Sequence, residues 1–303
     1  MTREHEELFD QGIAWFQEGR YKEAEKAFFQ CAEAENESLA FSYLGDMYFH
    51  GIGHAANHDI ARAFYEQAIK APNPSPAAFY QLAMMTDTST AEGKREYMYL
   101  LAEAGHRDFE PAHTALARAV MAGDILPKLP EEGIKLYEKA ISLGDANAMY
   151  ELADYYWRKD PSRSHIQEAL DYMYKAADAG HPDALLFVGQ LYANGRDDET
   201  AIKYWQEAGE KGNADAYFRL GLLCEAGRAE GIDMAECFGR SAMMGFELAE
   251  MKCREYGITV TATLHDGQKK DHRFHPYVPV KGAQTIDDPR PKAGPSIALA
   301  IKW

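Results

Sequence analysis

Two groups of histidines have the spacing from which metal sites are built. His50, His54 and His58 recur every four residues, and His272 and His275 lie beside His265, Asp266 and Asp271. Imidazole nitrogens at such offsets bind zinc when they converge from one helical face or one hairpin. Gly51 and Gly53 interrupt any helix through the first group, so its three rings would not share a face. The second group would need a folded hairpin to gather it, and isolated loop histidines are the commoner outcome. No metal or cofactor is therefore expected, and a metal-dependent activity at the second group stands only as an alternative. Glu131 with Lys135, and Glu92 with Glu96, have the offset of neighbours on a helix surface and signal nothing further. The chain contains no phosphate-binding loop, no Gly-x-Ser-x-Gly elbow and no His-Glu-x-x-His pair. These residues do not predict an enzyme.

The elements that carry these residues are repetitive. An aromatic or apolar pair, two polar residues, a small residue or pair and a stop recur as Phe28-Phe29 to Asn36, Phe64-Tyr65 to Pro72 and Tyr97-Met98 to Gly105. The same run continues as Leu136-Tyr137 to Gly144, Tyr172-Met173 to Gly180, Tyr204-Trp205 to Gly212 and Cys237-Phe238 to Gly245. Successive stops are 36, 33, 39, 36, 32 and 33 residues apart. After each stop comes a small residue, then Leu-Gly or Leu-Ala four positions on, as in Ala40 with Leu44-Gly45, Ala148 with Leu152-Ala153 and Ala216 with Leu220-Gly221. Offsets of three and four place these side chains on one helical stripe. Each unit thus reads as helix A, turn, helix B and stop. Gly105, Gly144, Gly180, Gly212 and Gly245 are expected to take the left-handed conformation that ends a helix. Gly45, Gly189 and Gly221 are expected to let the paired helices approach closely.

Three fragments, LGDMYFHGIGHAANHDIARAFYEQA, YKAADAGHPDALLFVGQLYANG and GNADAYFRLGLLCEAG, resemble the Sel1-like repeat family over roughly residues 39–250. The first unit, with Leu8, Gly12, Trp15, Ala24 and Phe28, looks like a tetratricopeptide repeat. The unit at 77–105 departs from the family, carrying Thr86-Asp87-Thr88-Ser89-Thr90 where the loop Gly-x-Gly belongs, and the turn at Arg158-Lys159-Asp160-Pro161 departs as well. The resemblance implies an all-α fold, a right-handed superhelical solenoid of stacked helix hairpins. It divides the chain into a tetratricopeptide-like pair at 1–38, Sel1-like repeats at 39–256 and a tail at 257–303. Cysteine-rich members of the family staple each hairpin with a cysteine pair. Only Cys224 and Cys237 have such a placement here, so buried thiols are expected.

By the same resemblance, helix A lines a concave face through the positions two before, two after and five after its leucine. These are Ser42, Asp46 and Phe49; Tyr80 and Met84; Thr114, Arg118 and Met121; Tyr150, Asp154 and Trp157; Leu186 and Gln190; Phe218 and Leu222. Aromatic and methionine side chains with scattered charges suit a groove that grips a peptide, a helix or a loop of another protein. An adaptor or scaffold of bacterial type is the function expected, and an immunity protein that neutralises a secreted toxin is the alternative drawn from the family.

Charge sharpens the choice of partner. The formal net charge is -16, with 25 Lys+Arg against 44 Asp+Glu in residues 1–256 and 7 against 4 in residues 257–303. Such a body repels phosphate backbones and suits a partner with a basic surface. The N-terminal stretch is acidic with no secretory or transit pattern, no apolar run spans a bilayer, and four cysteines are few for a secreted scaffold. A cytoplasmic protein is expected, or a periplasmic one if a signal has been removed. Beyond residue 257, Ile258, Val260, Ala262 and Leu264 alternate with threonines and Asp266-Gly267 signals a turn, which predicts a β-hairpin over 258–275. Pro276, Pro279, Pro289, Pro291 and Pro295 then predict an extended linker, and the apolar run 297–303 is expected to cap the last repeats.

Overall fold

The computed structural model describes residues 3–35, 37–123, 129–159 and 164–260. The hairpin and linker expected at 258–303 lie outside the described residues from 261 onward. The described chain is all-helical and builds an α-solenoid. Its hairpins are α1 (Arg3–Gln17) with α2 (Tyr21–Glu35), α3 (Ser38–His50) with α4 (His58–Lys70), α5 (Pro76–Met84) with α6 (Ala91–Gly105) and α7 (Glu110–Ala122) with α8 (Pro130–Ser142). They continue as α9 (Ala146–Lys159) with α10 (Ile166–Asp178), α11 (Pro182–Asn194) with α12 (Asp198–Glu210) and α13 (Ala214–Glu225) with α14 (Met234–Met243), followed by α15 (Glu247–Glu255). The chain divides into two compact units, Met1–Asp145 with α1–α8 and Ala146–Trp303 with α9–α15. Within each unit an odd-numbered helix packs on the even-numbered one after it, and that helix packs on the next odd-numbered one.

Alanine sets the spacing between neighbours. Ala176, Ala184, Ala208 and Ala216 are fully buried in the second unit, as are Ala68, Ala78, Ala104 and Ala112 in the first. They lie at the ends of B helices and the starts of A helices, where one hairpin meets the next. A methyl group there lets backbones approach, and a larger side chain would have no space to enter.

Inside the hairpins α3–α4, α11–α12 and α13–α14 the close approach is made by glycine. A Cβ added at Gly189 would lie 2.5 Å from Cδ1 of Trp205, and one at Gly45 or Gly221 would lie 2.5 Å from the ring of Tyr65 or Phe238. A large aromatic of helix B thus sits where helix A has no side chain. Where helix A carries Ala153 instead, the residue buried from α10 is the slimmer Met173. The rings keep their polar atoms satisfied. Trp205 Nε1 donates to the Leu186 carbonyl at 3.2 Å, and the Tyr65 hydroxyl donates to Asp46 at 2.6 Å.

The joints of the second unit share one helix ending. Gly180 has φ 79°, the His181 amide returns to the Ala176 carbonyl at 2.9 Å, and the Gly180 amide bonds Ala177 at 2.8 Å. That is a helix end closed by a left-handed residue. His181 Nδ1 then accepts from the Ala184 amide and so caps α11, as Asn213 Oδ1 caps α13 through Ala216. Two adjacent residues therefore stop one helix and start the next. Gly144, Gly212 and Gly245 take the same left-handed conformation.

Gly105 does not. It is the last residue of α6, and Asp108, with φ 54°, occupies the left-handed position, with the Phe109 amide returning to the Ala104 carbonyl at 3.3 Å. Aspartate tolerates that conformation better than most residues with a side chain. Gly105 is needed for a different reason: its missing side chain leaves room for the ring of His113, 3.3 Å from where a Cβ would stand. With Asp108 as the stop, the intervals from 72 to 108 and from 108 to 144 are 36 residues each, and the irregular 33 and 39 disappear.

Two consequences are measurable. Gly189→Ala should destabilise the second unit by about 1–3 kcal/mol through overpacking, despite the helix propensity gained. Adding Trp205→Leu should recover part of that loss in a denaturant double-mutant cycle, whereas independent, additive effects would contradict the contact. Burial pushes the Asp46 carboxyl up to about 7, against the lowering effect of the Tyr65 hydroxyl. Its folded value lies above the unfolded one, near about 4. The stabilisation from the protonated form is thus complete below that unfolded value and is lost as pH rises toward about 7. Asp46→Asn should become more stable relative to the wild type between pH 4.5 and 8, by a few kcal/mol at the order-of-magnitude level, as read from urea midpoints. A pH-independent difference would contradict this.

Candidate partner-binding faces

The helix-A positions fall into three classes by the geometry of the turn. Residues two before the leucine point toward the following hairpin. Ser42 and Thr114 are buried there, Ser42 donating to the Ser38 carbonyl and Thr114 to Asp145. Tyr80, Tyr150, Leu186 and Phe218 are half-buried at the same position. Residues two after the leucine reach further out. Met84 is 42% and Leu222 37% exposed, and Arg118 is exposed too. Residues five after lie at the helix end and pack on the turn or the partner helix.

In the first unit, Phe49 stacks on His58 with ring centres 4.8 Å apart and meets His50 edge-on. Tyr80 tilts against Phe109 at 5.5 Å. Met121 lies over Gly133 of α8, its Cγ and Sδ 2.5 Å from where a Cβ would be. Asp46 turns inward to Tyr65. The side chains left facing outward on this row are Met84 and Arg118.

In the second unit, the row is joined sideways from helix to helix. Trp157 of α9 packs edge-on against Phe187 of α11 at 5.0 Å and borders the buried pair Leu170 and Leu191. Gln190 of α11 accepts from Arg219 of α13 and donates to Asn194 at 2.7 Å, and Arg219 also pairs with Asp215 at 3.2 Å. Phe218 of α13 packs on Phe238 and on Phe246, which precedes α15. Tyr150 stacks on His181 at 4.4 Å, and burial, with the nearby Asp183 carboxylate, pushes its phenol up. Asp154 pairs with Arg158 one turn on, and Leu186 packs at the margin of the core. Phe187 and Arg219 are absent from the offset pattern, although each adjoins one of its members. Their partners lie about a repeat away in sequence, which a single helix's periodicity does not show.

The other candidate groups take up structural positions. Gly51 and Gly53 are left-handed, and they separate the three histidines. His54 tilts against Tyr48 with ring centres 3.9 Å apart and stands 3.9 Å from Glu25, whereas His58 lies on Phe49. Among the described residues no group of three or more His, Cys, Asp or Glu side chains is placed to hold a metal ion. His265, His272 and His275 lie outside the described residues. Cys224 and Cys237 face each other across α13 and α14 as thiols, and burial pushes Cys237 up to about 12. None of the described helices is long and apolar enough to cross a membrane.

Stacked two-helix repeats, with a glycine-ring contact inside the hairpin and an outward row on the first helix, define a helix-hairpin repeat protein. Sel1 repeats match residues 39–73, 111–145, 146–181, 182–213 and 214–239, more than half of the chain, and the chain belongs to the Sel1 repeat family. The interval 74–110 between matches holds α5 and α6, the hairpin whose turn carries Thr86–Thr90 in place of Gly-x-Gly. "Uncharacterized protein NMB1327" of Neisseria meningitidis serogroup B is 30% identical over 156 residues, 48% of this chain and 31% of that protein. The chain thus spans less than a third of that relative's length. A Sel1 repeat protein from Oxalobacter formigenes superposes with a TM-score of 0.64 at 24% identity, over 80% of this chain and 99% of that one. The protective antigen c5321 of uropathogenic Escherichia coli superposes with a TM-score of 0.57 at 21% identity, over 85% and 59%. At these identities the likeness is one of fold.

If the sideways links hold the row rigid, Arg219→Ala should free Gln190 and raise amide exchange at the C-terminal turns of α11 and α13 about threefold or more. Unchanged exchange there would show that the link carries no order.

Proposed function

We propose that the protein is a binding module whose helix-A rows hold a segment of another protein. The observation that carries this is the division of labour along helix A. The alanine and glycine positions are occupied by packing, while the position two after the leucine presents Met84, Arg118, Gln190 and Leu222 from a fixed backbone. Apolar contact area beside a few amide and charged groups on rigid helices is the composition of a protein-binding patch. Sel1 repeats typically bind proteins, which supports the same reading. Residues Phe49, Tyr80, Met121, Tyr150, Asp154, Trp157, Leu186 and Phe218 act as the floor that positions this row, and Asp46 serves the hairpin beneath it. The excess of carboxylates favours a partner with a basic surface.

The experiment is affinity capture with the intact chain against two surface variants, Met84→Asp with Arg118→Glu in the first unit and Gln190→Ala with Leu222→Asp in the second. These positions lie at the surface, so melting temperatures should shift by no more than a few degrees. A specific partner should be lost from at least one variant, with at least a tenfold fall in affinity, and binding to the intact chain should weaken as salt rises from 50 to 300 mM. A partner retained by both variants would move the contact off the helix-A rows.

A further inference from the structure

The last helix of the described chain is an A helix with no B helix after it. Numbered by the repeat, Met251 of α15 corresponds to Phe218 of α13 and to Leu186 of α11, because the stops at 212 and 245 are 33 residues apart. Phe218 is half-buried because Phe246 of the next unit lies on it. Met251 lacks that neighbour and is 60% exposed, with Leu248 52% exposed on the same side of the helix. Met243 and Met244, at the end of α14, are 55% and 40% exposed. The opposite side of α15 is occupied, since Ala249 and Cys253 are buried against Phe238.

The open side is not shaped for another hairpin. Arg254 stands where Gly189 and Gly221 stand in the preceding repeats, so a B-helix ring has no bare backbone to rest on. On leaving the helix the chain packs on the occupied side of α15 and leaves the open side uncovered among the described residues. The Ile258 amide donates to the Cys253 carbonyl at 2.8 Å, the Ile258 side chain joins the cluster around Phe238, and Tyr256 donates to Glu225 at 2.6 Å.

We propose that the exposed side of α14 and α15 is the docking site of this chain's own residues 297–303. That run carries Ile297, Leu299, Ile301 and Trp303 at every second position, so an extended backbone would turn all four to one side. It follows Val260 by 36 residues, four times the number in the nine-residue helix it would have to return to. A tether of that length supplies an effective concentration on the order of millimolar, so a weak apolar contact suffices. Charge favours the same pairing. Residues 257–303 carry 7 Lys+Arg against 4 Asp+Glu, whereas α15 carries Glu247, Glu250 and Glu255 against Lys252 and Arg254, with Glu225 beside it paired to Lys252, a small acidic excess. This occupant is independent of the helix-A rows and of any partner they hold.

Hydrogen exchange by mass spectrometry on the full chain tests the proposal. Amides of 297–303 should exchange at least tenfold more slowly than the same sequence in an unstructured peptide. In Leu248→Glu with Met251→Glu that protection should vanish while α9–α13 keep theirs. As a check that does not touch the helices, Ile301→Ser with Trp303→Ser should speed exchange in α15. Exchange of 297–303 at the unstructured rate in the intact chain overturns the proposal. So does protection that survives the α15 variant, which would seat the segment elsewhere, or protection found only where sedimentation shows a dimer, which would make a second copy the occupant.

Discussion

A ring seated on a helix that has no side chain to meet it is the contact on which the frame depends. Trp205 over Gly189, Tyr65 over Gly45 and Phe238 over Gly221 bring the two helices of a hairpin closer than any pair with facing Cβ atoms allows. That closeness lets a hairpin of two short helices bury a large aromatic almost completely. It also fixes the rotation of helix A about its axis, because the glycine must face its ring. With that rotation set, the alanines can meet the next hairpin, and on α13 Leu222, two after the leucine, faces outward, whereas on α3 Asp46 at the same offset reaches the hydroxyl of the seated ring. The outward row is thus tied to a packing constraint made on the other side of the same helix.

The same constraint accounts for the polar groups in the frame. A tyrosine or tryptophan driven into a hairpin brings a donor with it, and a buried donor without an acceptor costs about 1–3 kcal/mol. Asp46 and the Leu186 carbonyl serve as those acceptors. Asp46 therefore shares an offset with Met84 and Leu222 but not their role, since the ring beneath it needs the carboxylate.

What the sequence made legible follows from this. The period, the hairpin order and the close-approach glycines could be read because each is a rule about one residue and its own helix. Gly105 misled because glycine serves two ends in this chain, a left-handed stop and a bare surface, and the letter does not say which. The uneven intervals around it were the available signal. The outward row was legible only as a set of offsets. Its lateral links, Trp157 to Phe187 and Gln190 to Arg219, join residues about thirty positions apart, and the period that aligns them does not say which side chains touch. Helix α15 was inside the expected repeat region, yet its open side became visible only when Met251 could be compared with Phe218 in place.

The joints and the turns differ in how much length they can absorb. From α10 to α11, from α12 to α13 and from α14 to α15 the connection is three residues every time, whereas the turns within hairpins run from three residues after α11 to eight after α13. Because Gly180 with His181 closes one helix and opens the next, a single inserted residue at a joint would throw both out of phase. Inserted residues inside a hairpin only enlarge a loop. Growth or shortening of the second unit is therefore quantised: it proceeds by whole hairpins at the joints, while the loops are where length can drift by ones and twos; in the first unit, where the joints from α2 to α7 run from two to five residues, the helix ends are built differently.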